Sequence, residues 1–205
     1  MKKLFLISLL FSVIAISVNA QTDSTKKSDG IKTIFGNKKK SHGAYFGFSV
    51  GYSFIDNKDA FTSGGRLMWV INHNFAWGLA GSGFVSNFHE NSGFSLQGGY
   101  GGLMFEPILL PKSPVHLSFP VLLAAGGVAK VDMNNIWNDE DYVLDDADAF
   151  VIAEPGVELE MNLVKFIRIS VGASYRFTSD IYLNNESHDV MKGFNTMVNL
   201  KFGKF

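Results

Sequence analysis

The densest group of metal-competent oxygens lies between Val131 and Asp148, where Asp132, Asp139, Glu140, Asp141, Asp145, Asp146 and Asp148 occur without a Lys or Arg. Carboxylates at this density are ligands that a hard cation such as Ca²⁺ takes. The EF-hand spacing, with its glycine at the sixth loop position, is absent. The run therefore reads first as a solvated acidic face, and second as a loop contact or cation site built from Asp139, Glu140, Asp141, Asp145, Asp146 and Asp148. The histidines His42, His73, His89, His116 and His188 are scattered, with no spacing of the His-Glu-x-x-His kind, so no metal site is predicted. Glu186-Ser187-His188-Asp189 offers the residue types of nucleophilic catalysis, yet a triad is defined by geometry rather than adjacency, and neighbours in sequence rarely converge on one atom. No catalytic residue and no cofactor is expected. The absence of cysteine removes disulfides, thiolate metal sites and a lipidated cysteine anchor. A formal net charge of −1 lacks the basic face that phosphate binding needs, which excludes nucleic acid as the expected partner.

These residues must be held by something, and the chain shows three zones. Lys2 and Lys3, an apolar run from Leu4 to Val18, and Val18-Asn19-Ala20 have the layout of a secretory signal over residues 1–20, cleaved after Ala20. The apolar run is shorter than the ~20 residues of a membrane-crossing helix. Loss of Lys2 and Lys3 takes the formal charge to −3. Residues 21–42 are polar, with Lys26, Lys27, Lys32, Lys38, Lys39 and Lys40 against Asp23 and Asp29, and read as a flexible basic leader. The remaining 43–205 are long enough for one body.

That body alternates with period 2, the mark of strands. Ala44, Phe46, Phe48, Val50, Tyr52 and Phe54 share one face, and Tyr45, Gly47, Ser49, Gly51 and Ser53 the other. Leu67, Trp69 and Ile71 repeat the pattern, followed by Phe75, Trp77 and Leu79, and then by Phe94, Leu96, Gly98, Tyr100 and Gly102. Four further strands are expected over about Val115–Ala129, Ala149–Met161, Phe166–Phe177 and Met191–Lys204. Each reaches the ~9–11 residues that a tilted strand needs to cross hydrocarbon. Connections at 72–74, 110–114 and 162–165 are short, whereas 131–148 and 179–189 are long, which matches turns on one side of a membrane and loops on the other.

Within these strands Arg66, Glu154, Glu158, Glu160, Arg168, Arg176 and Lys201 all fall opposite the apolar stripe, an arrangement with chance odds of roughly 1 in 128 before allowing for how the face was chosen. A barrel in water would put such groups outside. In lipid they belong inside, because Arg or Lys at the midplane of the outer wall costs ~2–4 kcal/mol. The short turn after Met161 brings Arg168 beside Glu158 or Glu160. In a barrel of eight strands the interior is filled by side chains, so this lumen network braces a core in preference to lining a channel. Trp137 and Tyr142 read as interface anchors. Pro120 and Pro155, each inside a strand, are expected near one another; they mark a bulge or strand boundary, with a lateral opening to lipid as the sharper alternative.

The closing Asn199-Leu200-Lys201-Phe202-Gly203-Lys204-Phe205 alternates and finishes on an aromatic. In this the chain resembles the small OmpA/OmpX-like outer-membrane barrels, and barrels of Bacteroidota in particular. The resemblance implies an all-β, antiparallel up-and-down transmembrane barrel of eight strands, a location in the outer membrane among its lipids, and recognition of Phe205 by the barrel-assembly machinery. The expected role is structural or surface-interaction, carried by the long loops, with the acidic one also able to bridge to lipopolysaccharide through divalent ions. Two alternatives remain: a lipid-handling enzyme or lipid-binding barrel, which needs His188 or His89 to meet a Ser and a carboxylate, and a narrow small-solute channel, which needs an open lumen around Arg66, Arg168 and Glu158. Nothing in the sequence sets an oligomeric state.

Overall fold

A computed structural model describes residues 41–56, 58–86, 94–132, 144–184 and 186–205. The signal segment, nearly all of the leader, His89, and the Trp137 to Tyr142 stretch with Asp139, Glu140 and Asp141 lie outside the described residues.

The alternating segments form β1 (His42–Ile55), β2 (Lys58–Ile71), β3 (Phe75–Ser86), β4 (Phe94–Leu109), β5 (Val115–Ser118), β6 (Val121–Asp132), β7 (Leu144–Val164), β8 (Ile167–Thr178) and β9 (Gly193–Lys204). Every pairing is antiparallel, and β3–β4, β6–β7 and β9–β1 contacts close the sheet on itself. Strands β5 and β6 occupy one place in the wall. Both pair with β4 and β7 in an unbroken register, Ile108↔Ser118 with Phe105↔Val121, and Ser118↔Glu158 with Val121↔Pro155. The ring is therefore an eight-stranded up-and-down barrel. Closure matters because hydrocarbon offers no partner to an unpaired strand edge.

Pro120 is the cause of the interruption, since it has no N–H to give. It faces Gly156 across the seam, and Pro155 stands opposite Val121, so the two prolines are neighbours as the sequence predicts. No residue is inserted at Pro120, so of the two expectations there, a bulge or a strand boundary, the structure shows the boundary, between β5 and β6. The Phe119 N–H donates to the Pro107 carbonyl (2.9 Å) and the Gly156 N–H to the Pro120 carbonyl (2.8 Å), so the seam is stitched on both sides of the gap. On the other side of β7, the ladder to β8 lacks pairs at Glu154 and Pro155.

One face of each strand is oily and meets the surroundings. Phe48, Leu67, Leu79, Val151 and Val171 are all more than half exposed on the outer wall. Aromatics gather in two rows: Trp69, Trp77 and Phe105 in register near one end, with Phe46 beside Phe202, and Tyr52 beside Phe61 with Phe194 beside Tyr175 near the other. Between them runs Val50, Val198, Val171 and Leu159. A wall of this kind in water would forgo roughly 1.5–3 kcal/mol for each large side chain left uncovered. In lipid it is the expected surface, with the aromatic rows at the two interfaces.

On β4 the arrangement differs from the sequence reading. Leu96 and Tyr100 are buried in the lumen, while Gly99 and Gly101 face out beside Gly83, Gly127 and Ala125 on the adjoining strands. Packing inside the barrel overrides the apolar stripe as a guide to the outward face here.

At the turn end, the three-residue connection 72–74 holds Asn72 and His73 at positive φ (54° and 63°), the left-handed backbone by which a tight hairpin turn follows the twist of its strands. At the loop end β1 and β2 meet in a tight turn at Asp56, so the connections there are not uniformly long. The β6 and β7 strands also extend further than expected, and Asp145, Asp146 and Asp148 lie in β7 rather than in a loop. Replacing Val171 by Arg, midway along the outer wall, is expected to lower folding stability by ~2–4 kcal/mol in urea titrations of the protein in phospholipid vesicles; a change within ~0.5 kcal/mol would contradict a lipid-facing wall.

Candidate functional site

The charged residues predicted to face away from the apolar stripe all point into the lumen and are buried: Arg66 on β2, Glu154, Glu158 and Glu160 on β7, Arg168 and Arg176 on β8, and Lys201 on β9. Most converge in one belt near the turn end. The Lys201 Nζ donates to Glu106 (2.8 Å) and Glu160 (2.5 Å) and lies 3.0 Å from Glu158. Arg66 donates through Nη1 to Glu158 (2.9 Å) and through Nη2 to Asn199 Oδ1 (2.9 Å). Arg168 reaches Glu160 at 3.4 Å, one of the two partners expected for it. Ser118 and Ser170 donate to Glu160 and Glu158 (2.6 and 2.8 Å), and the Tyr45 hydroxyl donates to Glu106. Arg66, Arg168 and Lys201 thus balance Glu106, Glu158 and Glu160, which lets every ion sit out of water with a counter-ion in contact.

The backbone makes room for this belt. A Cβ on Gly172 would come within 2.8 Å of Glu158 Cγ, and one on Gly47 within 3.0 Å of Arg66 Cγ, so glycine at these inward positions admits the longer neighbours. Glu106 and His116, whose Nε2 is 3.0 Å from Glu160, were missed by the sequence reading. The signal was available: Glu106 is out of phase with Leu103, Phe105 and Leu109, and His116 alternates with Val115 and Leu117. They were overlooked because β4 runs to Leu109, well past Gly102, and carries Pro107.

Above the belt, Glu154 accepts from Tyr100 (2.8 Å), Ser174 (2.5 Å) and the Asn195 amide (3.4 Å). A cavity of about 50 Å³ lies among Ser49, Thr62, Ser82, Tyr100, Glu154 and Asn195, space for roughly three to five waters. Arg176, directly across from Glu154 in the register that β7 and β8 share, turns away to Ser53 Oγ and the Phe54 carbonyl (3.2 Å).

Both mouths are shut. At the turn end Phe205 stacks over the Arg168 guanidinium (3.9 Å) and against Tyr45 (5.3 Å), and its main-chain oxygen lies 2.7 Å from His73 Nδ1. At the loop end residues 179–184 and 186–192 fold over the opening and bury Ile181, Leu183, Val190 and Met191 against Ile55, Phe84, Leu96, Phe150 and Ile152. Asp148 accepts from the Tyr182 N–H (2.7 Å), Asp146 from the Asn184 N–H (2.8 Å), and Lys130 pairs with Glu186 (2.8 Å). Two of the carboxylates predicted as contact or cation ligands are therefore anchors for the cap. Lys192 is bonded to Asp189, which raises its pKa above the usual value. His188 stacks on Tyr182 (4.7 Å), and the Ser187 hydroxyl accepts only the Asp189 N–H (3.4 Å), so no Ser, His and carboxylate side chains form a hydrogen-bonded set among the described residues. No group of acids and histidines there is placed to hold a metal ion.

No protein-family profile matches the chain, and no curated protein matches it by sequence. Solved structures do resemble its fold. Neisserial surface protein A aligns with a TM-score of 0.55 at 10% identity, covering 82% of this chain and 100% of its own. The N-terminal β-barrel domain of Pseudomonas aeruginosa OprF aligns at 0.49 and 10% identity over 80% and 99% of the two chains. Ail, the attachment invasion locus protein of Yersinia pestis, gives 0.45 and 14% over 80% and 97%. The first of these supports the fold as that of the small outer-membrane barrels.

Lys201 is the cation shared by three carboxylates, so Lys201→Met is expected to cost ~3–5 kcal/mol of folding stability, read as a lowered urea midpoint in vesicles. A loss under ~1 kcal/mol would show that the belt does not hold the barrel together.

Proposed function

We propose that the protein is exported through its signal segment and resides in the outer membrane as a structural or surface-interaction barrel, neither a catalyst nor a pore. The observation that carries this reading is the lumen: an ion-paired belt, a small cavity and an apolar cap occupy it from Phe205 to Met191. A channel needs a continuous water path, and an enzyme needs a convergent set of reacting groups; the described residues supply neither. Placing the short turns in the periplasm puts the capped end outside. There the cap residues 179–184 and 186–192, with Tyr182 exposed and Asp180 and Asp189 beside it, form the contact surface. Phe205 serves as the assembly signal before the barrel closes and as the stopper of the periplasmic mouth afterwards.

Planar-bilayer recordings together with lipid A incubation separate the readings. The purified barrel is expected to show no discrete conductance steps and to leave lipid A unmodified. Steps of reproducible size would favour the channel, and loss or transfer of an acyl chain would favour the enzyme.

A further inference from the structure

The charge left over after the lumen is neutralised is divided between the two ends of the barrel. At the loop end the described acids Asp56, Asp59, Asp146, Asp148, Asp180, Glu186 and Asp189 outnumber Lys58, Lys130 and Lys192. At the turn end, segments 41–45, 72–75, 110–116, 162–167 and 202–205 contain no Asp or Glu at all. They carry Lys112 between β4 and β5, Lys165 between β7 and β8, and Lys204 at the end of β9, all exposed and none ion-paired among the described residues. Lys165 and Lys204 fall at facing positions of the β8–β9 register, where the Gly203 N–H also donates to the Phe166 carbonyl (2.9 Å), and Lys112 lies beyond β7, so the cations line the arc of the mouth from β4 to β9.

Each lysine also adjoins the oily wall. Leu110 (73% exposed) precedes Lys112, Phe166 (61%) follows Lys165, and Phe202 precedes Lys204. An ammonium one or two residues from a lipid-facing side chain is held at the depth of the headgroups, where its aliphatic stem can lie along the wall. We propose that this arc of the rim is a binding surface for anionic phospholipid headgroups, phosphatidylglycerol in kind, which the barrel gathers along the β4-to-β9 side of its periplasmic mouth. The proposal rests on the transmembrane reading but concerns a surface and a partner that reading leaves open. A basic residue close to an anionic bilayer gains about five-fold in association, so three around one mouth suffice for a local enrichment.

The tryptophans make the rim measurable. Trp69 shares a row with Lys204 across Ala44, and Trp77 pairs with Phe105 on the strand that leads into the Lys112 turn. Both are on the outer wall, 51% and 46% exposed. The full mature chain carrying Trp137→Phe, with only these two tryptophans, and with Lys26, Lys27, Lys32, Lys38, Lys39 and Lys40 of the basic leader replaced by Gln in every sample, is folded into phosphatidylcholine vesicles containing an equal mole fraction of acyl-brominated phosphatidylglycerol or acyl-brominated phosphatidylcholine. Quenching is expected to show at least about a two-fold preference for phosphatidylglycerol. The preference should fall to unity when Lys112, Lys165 and Lys204 are all replaced by Gln, and in high salt. Heat-dependent gel mobility checks that each variant is folded. Equal quenching by the two lipids overturns the inference, as does a preference that survives the triple replacement. Quenching by neither lipid would overturn it together with the transmembrane reading.

Discussion

Hydrocarbon gives no hydrogen bond and no counter-ion, and nearly every feature of this chain answers that constraint. Backbone groups are paired by closing the sheet, because any open edge would present unpaired amides to lipid. Ionised side chains turn inward, where Lys201, Arg66 and Arg168 meet Glu106, Glu158 and Glu160 in equal number. The belt owes its stability less to attraction between charges than to the high cost of leaving any one of them unmatched in a place that water does not reach.

From that constraint the lumen acquires layers. The belt and Phe205 occupy the turn end, Glu154 and its hydroxyl donors hold the middle, and apolar side chains of strands and cap fill the loop end. A filled lumen leaves the ends as the surfaces through which the molecule meets others. They differ sharply: one is rich in carboxylates and covered by a folded segment, the other exposes Lys112, Lys165 and Lys204 and no Asp or Glu side chain among the described residues. The cap is tied to the wall by Asp146, Asp148 and Lys130, so the loop-end surface has a defined shape rather than that of a free loop.

Much of this was legible from period-2 alternation, since a strand in a barrel needs only its parity to declare which way a side chain points. The parity of Arg66, Glu158, Arg168 and Lys201 placed each of them in the lumen without any knowledge of partners. What parity could not supply was which inward residues touch. Lys201 meets Glu106 across the interior, a contact between strands distant in sequence that only closure creates. Parity also failed where both faces of a strand are small or apolar, as on β4, because Leu96 and Tyr100 satisfy an apolar cap as well as they would satisfy lipid. The acidic run misled for a different reason: carboxylates read as solvated were partly needed to hold the N–H groups of Tyr182 and Asn184, and hydrogen bonds to a distant segment leave no local trace.

The absence of cysteine permits a direct measurement of the outward wall. Single cysteines placed in turn from Ile167 to Phe177 and labelled with a nitroxide can be probed in vesicles for collision with oxygen, which partitions into lipid, and with a water-soluble nickel chelate. Odd-numbered sites are expected to collide with oxygen far more than with nickel, and even-numbered sites to be shielded from both. Odd-numbered sites open to the nickel chelate, or an alternation of the opposite phase, would contradict a barrel that turns its oily face to the membrane and its charges within.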